Sequence, residues 1–174
     1  MASRLSASIP HAAGRLAASV PRTRLHPAVL AWAGKSSPRV DWAVAFSGGA
    51  DSLALLLLLW AHWPARRGRL VTLHFNHRLR GRAADADEKF CRRVCAALTV
   101  KFVSGKWTQA KRGASEAEAR AARLAFFAKH ARVLWLGHQQ DDIAESMLMR
   151  LARGSGAGGL AAPRPVQTLA GVLL

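Results

Sequence analysis

Ala43-Val44-Ala45-Phe46-Ser47-Gly48-Gly49-Ala50-Asp51-Ser52 carries an apolar, strand-like segment into two glycines, and the apolar run Leu53 to Trp60 follows at once. The pattern predicts a strand, a tight turn and a helix. Gly48 and Gly49 permit positive φ and let the backbone approach a ligand closely. The helix beginning there points its unpaired N–H groups, and the positive end of its dipole, at the turn. Such a place binds anions, phosphate above all. Ser47 and Ser52 add hydroxyl groups. Asp51 adds a carboxylate suited to Mg²⁺ beside phosphates.

The rest of the chain repeats this alternation. Trp42 to Phe46 is the first strand, and Ala50 to Trp63 the helix after it, stopped by Pro64. Leu70 to Phe75, Val100 to Val103 and Val133 to Leu136 read as further strands. Ala84 to Leu98, Ser115 to His130 and Asp141 to Ala152 have helical periodicity, and Ser115 with Glu118 has the capping-box spacing. Arg66 to Arg69 reads as a basic turn, Lys106 to Arg112 as a basic loop and Gly154 to Gly159 as a glycine-rich loop. Strands alternating with helices predict an α/β fold, a doubly wound and mostly parallel sheet with helices on both faces. Ligands in such folds sit beyond the carboxyl ends of the strands. Three polar clusters follow strands here: Ser47 to Ser52, Asn76 to Arg82, and Gly137-His138-Gln139-Gln140-Asp141-Asp142. Arg120 and Arg123, three apart, share one helix face.

The 174 residues suit one domain with a real core, and 51% of them are hydrophobic. The net charge is +16, and it is still +10 without the first 40 residues, which hold six basic residues and no acid. A basic surface of that size favours a polyanion such as RNA over a membrane. An arginine-rich genome is the bland alternative. The run Leu53 to Ala61 is too short to span a bilayer. Residues 1–23 read as a basic, disordered extension, with an arginine- and serine-rich transit peptide as the alternative. Residues 24–174 form the domain, opened by a short helix within Arg24 to Gly34. Cys91 and Cys95, four apart on one helix face, read as core thiols rather than zinc ligands. The six tryptophans are scattered along the chain and read as packing residues.

Each polar cluster has two readings. Asp141 or Asp142 suits a helix cap; alternatively one carboxylate faces Mg²⁺ or a substrate amine, with His138 on phosphate or in proton transfer. Asn76 to Arg82 is either a solvated basic loop or a clamp on phosphates. Arg120 and Arg123 either pair with Glu116 and Glu118 or stabilise charge at a phosphoryl-transfer site. The turn is not a Walker A loop, because no lysine follows its glycines. That disfavours γ-phosphate transfer.

The form S-G-G-x-D-S instead resembles the PP-loop of the ATP pyrophosphatases. The runs S-G-G-A-D-S, N-H-R-L-R, E-A-R-A-A-R, G-H-Q-Q-D-D-I-A-E-S-M-L-M-R-L and R-G-S-G-A-G-G-L, from about Leu25 to Leu174, resemble in order and spacing the N-terminal domain of the tRNA(Ile)-lysidine synthase family. The resemblance implies a Rossmann-like PP-loop fold and a ligase forming a C–N bond. It implies that ATP adenylates O2 of the wobble cytidine, C34, in a tRNA(Ile) with a CAU anticodon, and that the ε-amine of free L-lysine then expels AMP. It places Ser47, Gly48, Gly49, Ala50, Asp51 and Ser52 on ATP. Asp51 is placed near Mg²⁺, and Asp51, Arg120, Arg123, His138 and Asp142 in the reaction site. A cytoplasmic location and a homodimer are further expectations, the location becoming organellar if residues 1–23 act as a transit peptide.

Departures accompany the likeness. Gln139 stands where the family usually has a second histidine, Ile143 where it has Gln, Ser146 where it has Thr, and Leu124 where it has an aromatic residue. Leu169 to Leu174 reads as a strand, and the chain reads as truncated at its C-terminus relative to the family. The competing readings are another PP-loop enzyme, such as a tRNA thiolase, which commonly carries C-x-x-C pairs, and a non-catalytic tRNA-binding remnant.

Overall fold

The computed structural model describes residues 2–76, 82–107, 115–137, 154, 165–169 and 172–173. Helices α1 (Ala2–Ser19) and α2 (Pro27–Lys35) precede strand β1 (Trp42–Ala45). Then come α3 (Ala50–His62), β2 (Leu70–Asn76), α4 (Arg82–Leu98), β3 (Lys101–Lys106), α5 (Glu116–His130) and β4 (Leu134–Trp135). Two short strands, β5 (Thr168–Leu169) and β6 (Val172–Leu173), pair antiparallel with each other. The single strand expected over Leu169 to Leu174 is therefore replaced by this β5–β6 pair.

Strands β1 to β4 form one parallel sheet in the order β3-β2-β1-β4. The chain steps outward from β1 through β2 to β3, then crosses back to lay β4 on the other side of β1. The strand order reverses between β1 and β4, and such a switch point opens a crevice at the carboxyl edge. The predicted fold class holds.

Alternation along β1 explains its central place. Trp42, Val44 and Phe46 join Leu56, Leu59, Cys91, Val94 and Leu98 in a core on one face of the sheet. Ala43 faces the other way, into a smaller core with Leu73, Phe127 and Leu134. Helices α3 and α4 thus cover one face and α5 the other. Each large apolar side chain buried this way contributes about 1.5–3 kcal/mol. Ser115 caps α5 as its spacing predicts: its hydroxyl accepts from the Glu118 N–H at 3.2 Å, and its own N–H donates to Glu118 Oε2 at 2.7 Å.

Two sequence expectations need correction. Residues 1–23 are not a disordered arm. Helix α1 lies on α3 and α4, with Ala13 fully buried and Ile9 and Leu16 packed on the core. His62 Nε2 donates to the Val20 carbonyl at 2.8 Å and ties down its end. The basic turn is a 3₁₀ helix, Pro64–Arg69, whose Arg66 points inward. That guanidinium donates to the Ser36, Ser37 and Val40 carbonyls and lies over the Trp42 ring. The tryptophans, scattered in sequence, gather in space. Trp42 and Trp135 have ring centroids 5.0 Å apart, and Trp32 is 5.6 Å from each. Their packing role stands. Among the described residues no helix is long and apolar enough to cross a membrane.

Candidate nucleotide site

Strand β1 ends at the switch point, and the glycine turn lies directly beyond it. The Phe46 N–H still donates to the Leu73 carbonyl at 2.9 Å, so sheet pairing runs to the edge of the turn. Gly48 then takes φ +96°, a left-handed value that disfavours any side chain. Space makes the same demand. A Cβ on Gly48 would stand 3.2 Å from Cys91 Sγ. Gly49 occupies the N-cap of α3 without a side-chain cap, and its carbonyl accepts the first helical bond, from Leu53 at 3.0 Å.

The two serines orient each other. The Gly49 N–H donates to Ser47 Oγ at 3.3 Å, Ser47 and Ser52 hydroxyls are 3.0 Å apart, and Ser52 Oγ donates to the Gly49 carbonyl at 3.1 Å. With one proton per hydroxyl, Ser47 donates to Ser52 and the ring closes. Ser52 is buried while Ser47, Gly49, Ala50 and Asp51 are exposed. The turn therefore offers a rigid floor and an open rim. Asp51, in the first turn of α3, is one exposed carboxylate at the positive end of a helix. It fits Mg²⁺ in the usual manner of that ion, which takes one or two protein carboxylates and completes its shell with phosphates and water. Among the described residues no group of three or more His, Cys, Asp or Glu is arranged to hold a metal.

The other strand ends converge here in part. Gly137 follows β4, and a Cβ on it would come within 3.1 Å of the Asp51 carbonyl and of Ser52 N. The chain that continues into His138 thus leaves from the rim of the turn. His138 and Asp142 themselves lie outside the described residues, as do 77–81, the expected Asp141 to Ala152 helix and all of the glycine-rich loop except Gly154. Parallel β3 and β4 require α5 to start at the carboxyl edge of the sheet and run back. Arg120 lies in the second turn of α5, toward that edge, and Arg123 at the middle of the helix; Arg120 is exposed and Arg123 half-buried.

The family model described as "PP-loop domain" matches residues 24–174. The chain belongs to the PP-loop domain family. Its relatives include the tRNA(Ile)-lysidine synthase of Geobacter sulfurreducens, 44% identical over 133 residues, which are 71% of this chain and 28% of that protein. The tRNA(Ile)-lysidine synthase of Pseudomonas syringae pv. tomato is 43% identical over 145 residues, 80% of this chain and 31% of that protein. The chain spans less than a third of the length of these two relatives. Among solved structures, the U34-tRNA thiolase NcsA of Methanococcus maripaludis superposes with a TM-score of 0.54 at 19% identity, covering 67% of this chain and 44% of that one. That likeness is one of fold.

Beneath the PP-loop lies a polar layer that the sequence reading did not single out. Thr72, His74 and Asn76 are buried on the β2 face toward α4. Thr72 Oγ1 is 3.1 Å from Cys95 Sγ, and Asn76 Nδ2 donates to Asp85 Oδ1 at 3.5 Å. The signal was present: in L-V-T-L-H-F-N every second residue after Leu70 is polar, in a strand whose other face is apolar. Burial pushes the Cys91 thiol up to about 12, aided by Cys95 and Asp87, and burial pushes Cys95 to about 11. Both are free, buried thiols, as their spacing predicts. At Glu88 burial works against the charge, but a hydrogen bond from Ser104, the Lys106 ammonium 3.8 Å away and bonds from Arg92 and Asn76 outweigh it. The carboxyl is held below its ordinary range.

Proposed function

We propose that this chain is the ATP-binding, catalytic domain of a tRNA(Ile)-lysidine synthase. The observation that carries the reading is the N-terminus of α3, without a side-chain cap, behind Ser47-Gly48-Gly49 at the β1/β4 switch point, with Gly137 close against its first turn. Backbone donors and a helix dipole converge there on the place a polyphosphate would occupy, over the floor made by the Ser47–Ser52 ring. Kinship with lysidine synthases over 71–80% of the chain supports the substrate class.

In this reading Ser47 to Ser52 hold the pyrophosphate end of ATP and leave the α-phosphorus facing the tRNA. O2 of the wobble cytidine in a CAU anticodon attacks that phosphorus, and the bond to pyrophosphate breaks. The ε-amine of free lysine then attacks C2, and O2 departs with AMP. Adenylation converts a poor leaving oxygen into a good one. Asp51 would hold Mg²⁺, which when bound offsets negative charge on the phosphates. Arg120 and Arg123 supply further positive charge, while His138 and Asp142 serve the proton and the amine. The excess of basic residues suits a tRNA partner.

The thiolase alternative is disfavoured by the thiols. Sulfur transfer needs an accessible thiolate, and Cys91 and Cys95 are buried and held protonated. The test is release of AMP and pyrophosphate from ATP, with and without lysine, in the presence of a CAU tRNA(Ile) transcript. AMP formation that requires both tRNA and lysine supports the proposal. Tight tRNA binding without nucleotide turnover would replace it with a binding role.

A further inference from the structure

Strand β2 is buried on both faces, yet an imidazole takes a place in its core. His74 is 4% exposed, between Thr72 and Asn76 on the face toward α4. Burying such a group costs free energy unless it is hydrogen-bonded. Its bond goes to the neighbouring strand: His74 Nδ1 lies 2.8 Å from the Phe46 carbonyl. A carbonyl only accepts, so Nδ1 carries the proton and donates.

Phe46 is the residue immediately before Ser47. A trans peptide is planar, with its N–H directed opposite to its C=O. Fixing the Phe46 carbonyl toward His74 therefore fixes the Ser47 N–H away from His74, on the other side of the peptide. Cys91 supports the same place from α4. Its thiol donates to the Phe46 carbonyl at 3.8 Å and stands 3.2 Å from where a Gly48 Cβ would be. The Phe46 N–H is meanwhile held by Leu73. The peptide units on either side of Phe46, the residue that follows β1, are thus both anchored before the chain turns.

We propose that His74 is a positioning residue for the PP-loop, setting through the Phe46 carbonyl the direction in which the Ser47 and Gly48 backbone is presented to a polyphosphate. The part concerning ATP rests on the functional reading above; the part concerning loop order does not. A bond of this kind is replaced only by another donor at the position of Nδ1. Asparagine places its amide near that position, whereas leucine fills similar space without a donor.

The test compares the full chain with His74→Leu and His74→Asn by amide hydrogen exchange of residues 46–50 without ligand, by ATP titration and by thermal melting. His74→Leu is expected to speed exchange at Ser47 to Ala50 about tenfold and to weaken ATP binding about tenfold, the effect of one net buried hydrogen bond. His74→Asn is expected to return both to within about threefold of the parent, even where its melting temperature is no better. Parent-like loop exchange in folded His74→Leu, or equal impairment in the two variants, would overturn the proposal. Should His74→Leu not fold, His74→Gln, whose amide falls nearer Nε2, takes its place under the same criteria. A parent chain that binds no ATP would remove the nucleotide reading, and the exchange comparison would still decide the role of His74.

Discussion

Gly137, just beyond β4, stands in contact with the backbone of Asp51 in the first turn of α3, at a distance where a Cβ would be 3.1 Å from the Asp51 carbonyl. Two loops from strands on opposite sides of the switch point are thereby held edge to edge. One presents Ser47 to Ser52, and the other leads into His138. The absence of one side chain sets their spacing.

A substitution at Gly137 is accordingly expected to act on the site more than on the fold. Gly137→Ala needs only a few tenths of an ångström of give, and a loss of a few-fold in ATP affinity is expected. Gly137→Val adds a branched side chain against backbone that cannot swing away. If its overpacking cost of about 1–3 kcal/mol falls on the site, ATP binding weakens about 5- to 150-fold. Calorimetric titration of ATP checks this, and parent-like affinity in the valine variant would contradict it.

The thiols give a second expectation. Cys91 and Cys95 lie under the PP-loop with pKa values raised to about 12 and about 11, chiefly by burial. A thiol reagent at about pH 8 meets almost no thiolate, where an ordinary cysteine of pKa about 8.5 would be partly ionised. The native chain should leave both thiols unmodified over hours, and the denatured chain should react at both within minutes. Mass spectrometry after quenching distinguishes the cases. Rapid labelling of Cys91 in the native chain would place the thiol outside the core.

Glu88 links stability to acid. Its ordinary value is 4.5, and in the fold it lies lower because Ser104, Lys106, Arg92 and Asn76 together outweigh the penalty of burial. A folded value below the unfolded one means the charge stabilises the fold above the unfolded value, and this contribution disappears as pH falls through the folded value. The parent should therefore lose more stability than Glu88→Gln between about pH 6 and about pH 3. Urea melts at several pH values test this; parallel curves would show that Glu88 is not linked to folding.

Much of this molecule is legible in its sequence. Trp42 to Phe46 and Leu70 to Phe75 declare strands because large apolar and β-branched residues end abruptly in polar strand-end clusters. Pro64 marks the end of α3, and Ser115 with Glu118 marks the start of α5. The turn itself is readable in the sequence, because a positive φ and a close approach of backbone, as at Gly48, call for glycine between a strand and a helix. What stayed hidden depends on contacts between distant segments. Trp32, Trp42 and Trp135 meet only once β4 crosses beside β1. His74 looks like an ordinary strand residue until the Phe46 carbonyl is beside it. Helix α1 was the largest surprise: arginine and serine without acids, and Pro10 within the segment, suggest disorder. The small side chain of Ala13 nevertheless allows close packing on α3 and α4, and tertiary contact overrides weak local preference.

Helix α1 thus carries its own expectation. Ala13 is fully buried, with Ile9 and Leu16 packed beside it. Ala13→Asp would bury a charge in that apolar contact. A destabilisation of about 2–4 kcal/mol is expected, which lowers the melting temperature by roughly 4–16 °C for a chain of this size. Calorimetry of the variant measures it. An unchanged melting temperature would mean that α1 does not contribute to the core.

The most direct measurement of the central claim is mass spectrometry of nucleosides from a CAU tRNA(Ile) transcript incubated with the chain, ATP, Mg²⁺ and isotopically labelled lysine. The account predicts that cytidine 34 alone gains one labelled lysine with loss of water, in proportion to AMP released, and that Ser52→Ala reduces both together. An unmodified cytidine 34 beside full ATP binding would contradict it, leaving a PP-loop that holds nucleotide without forming the C–N bond.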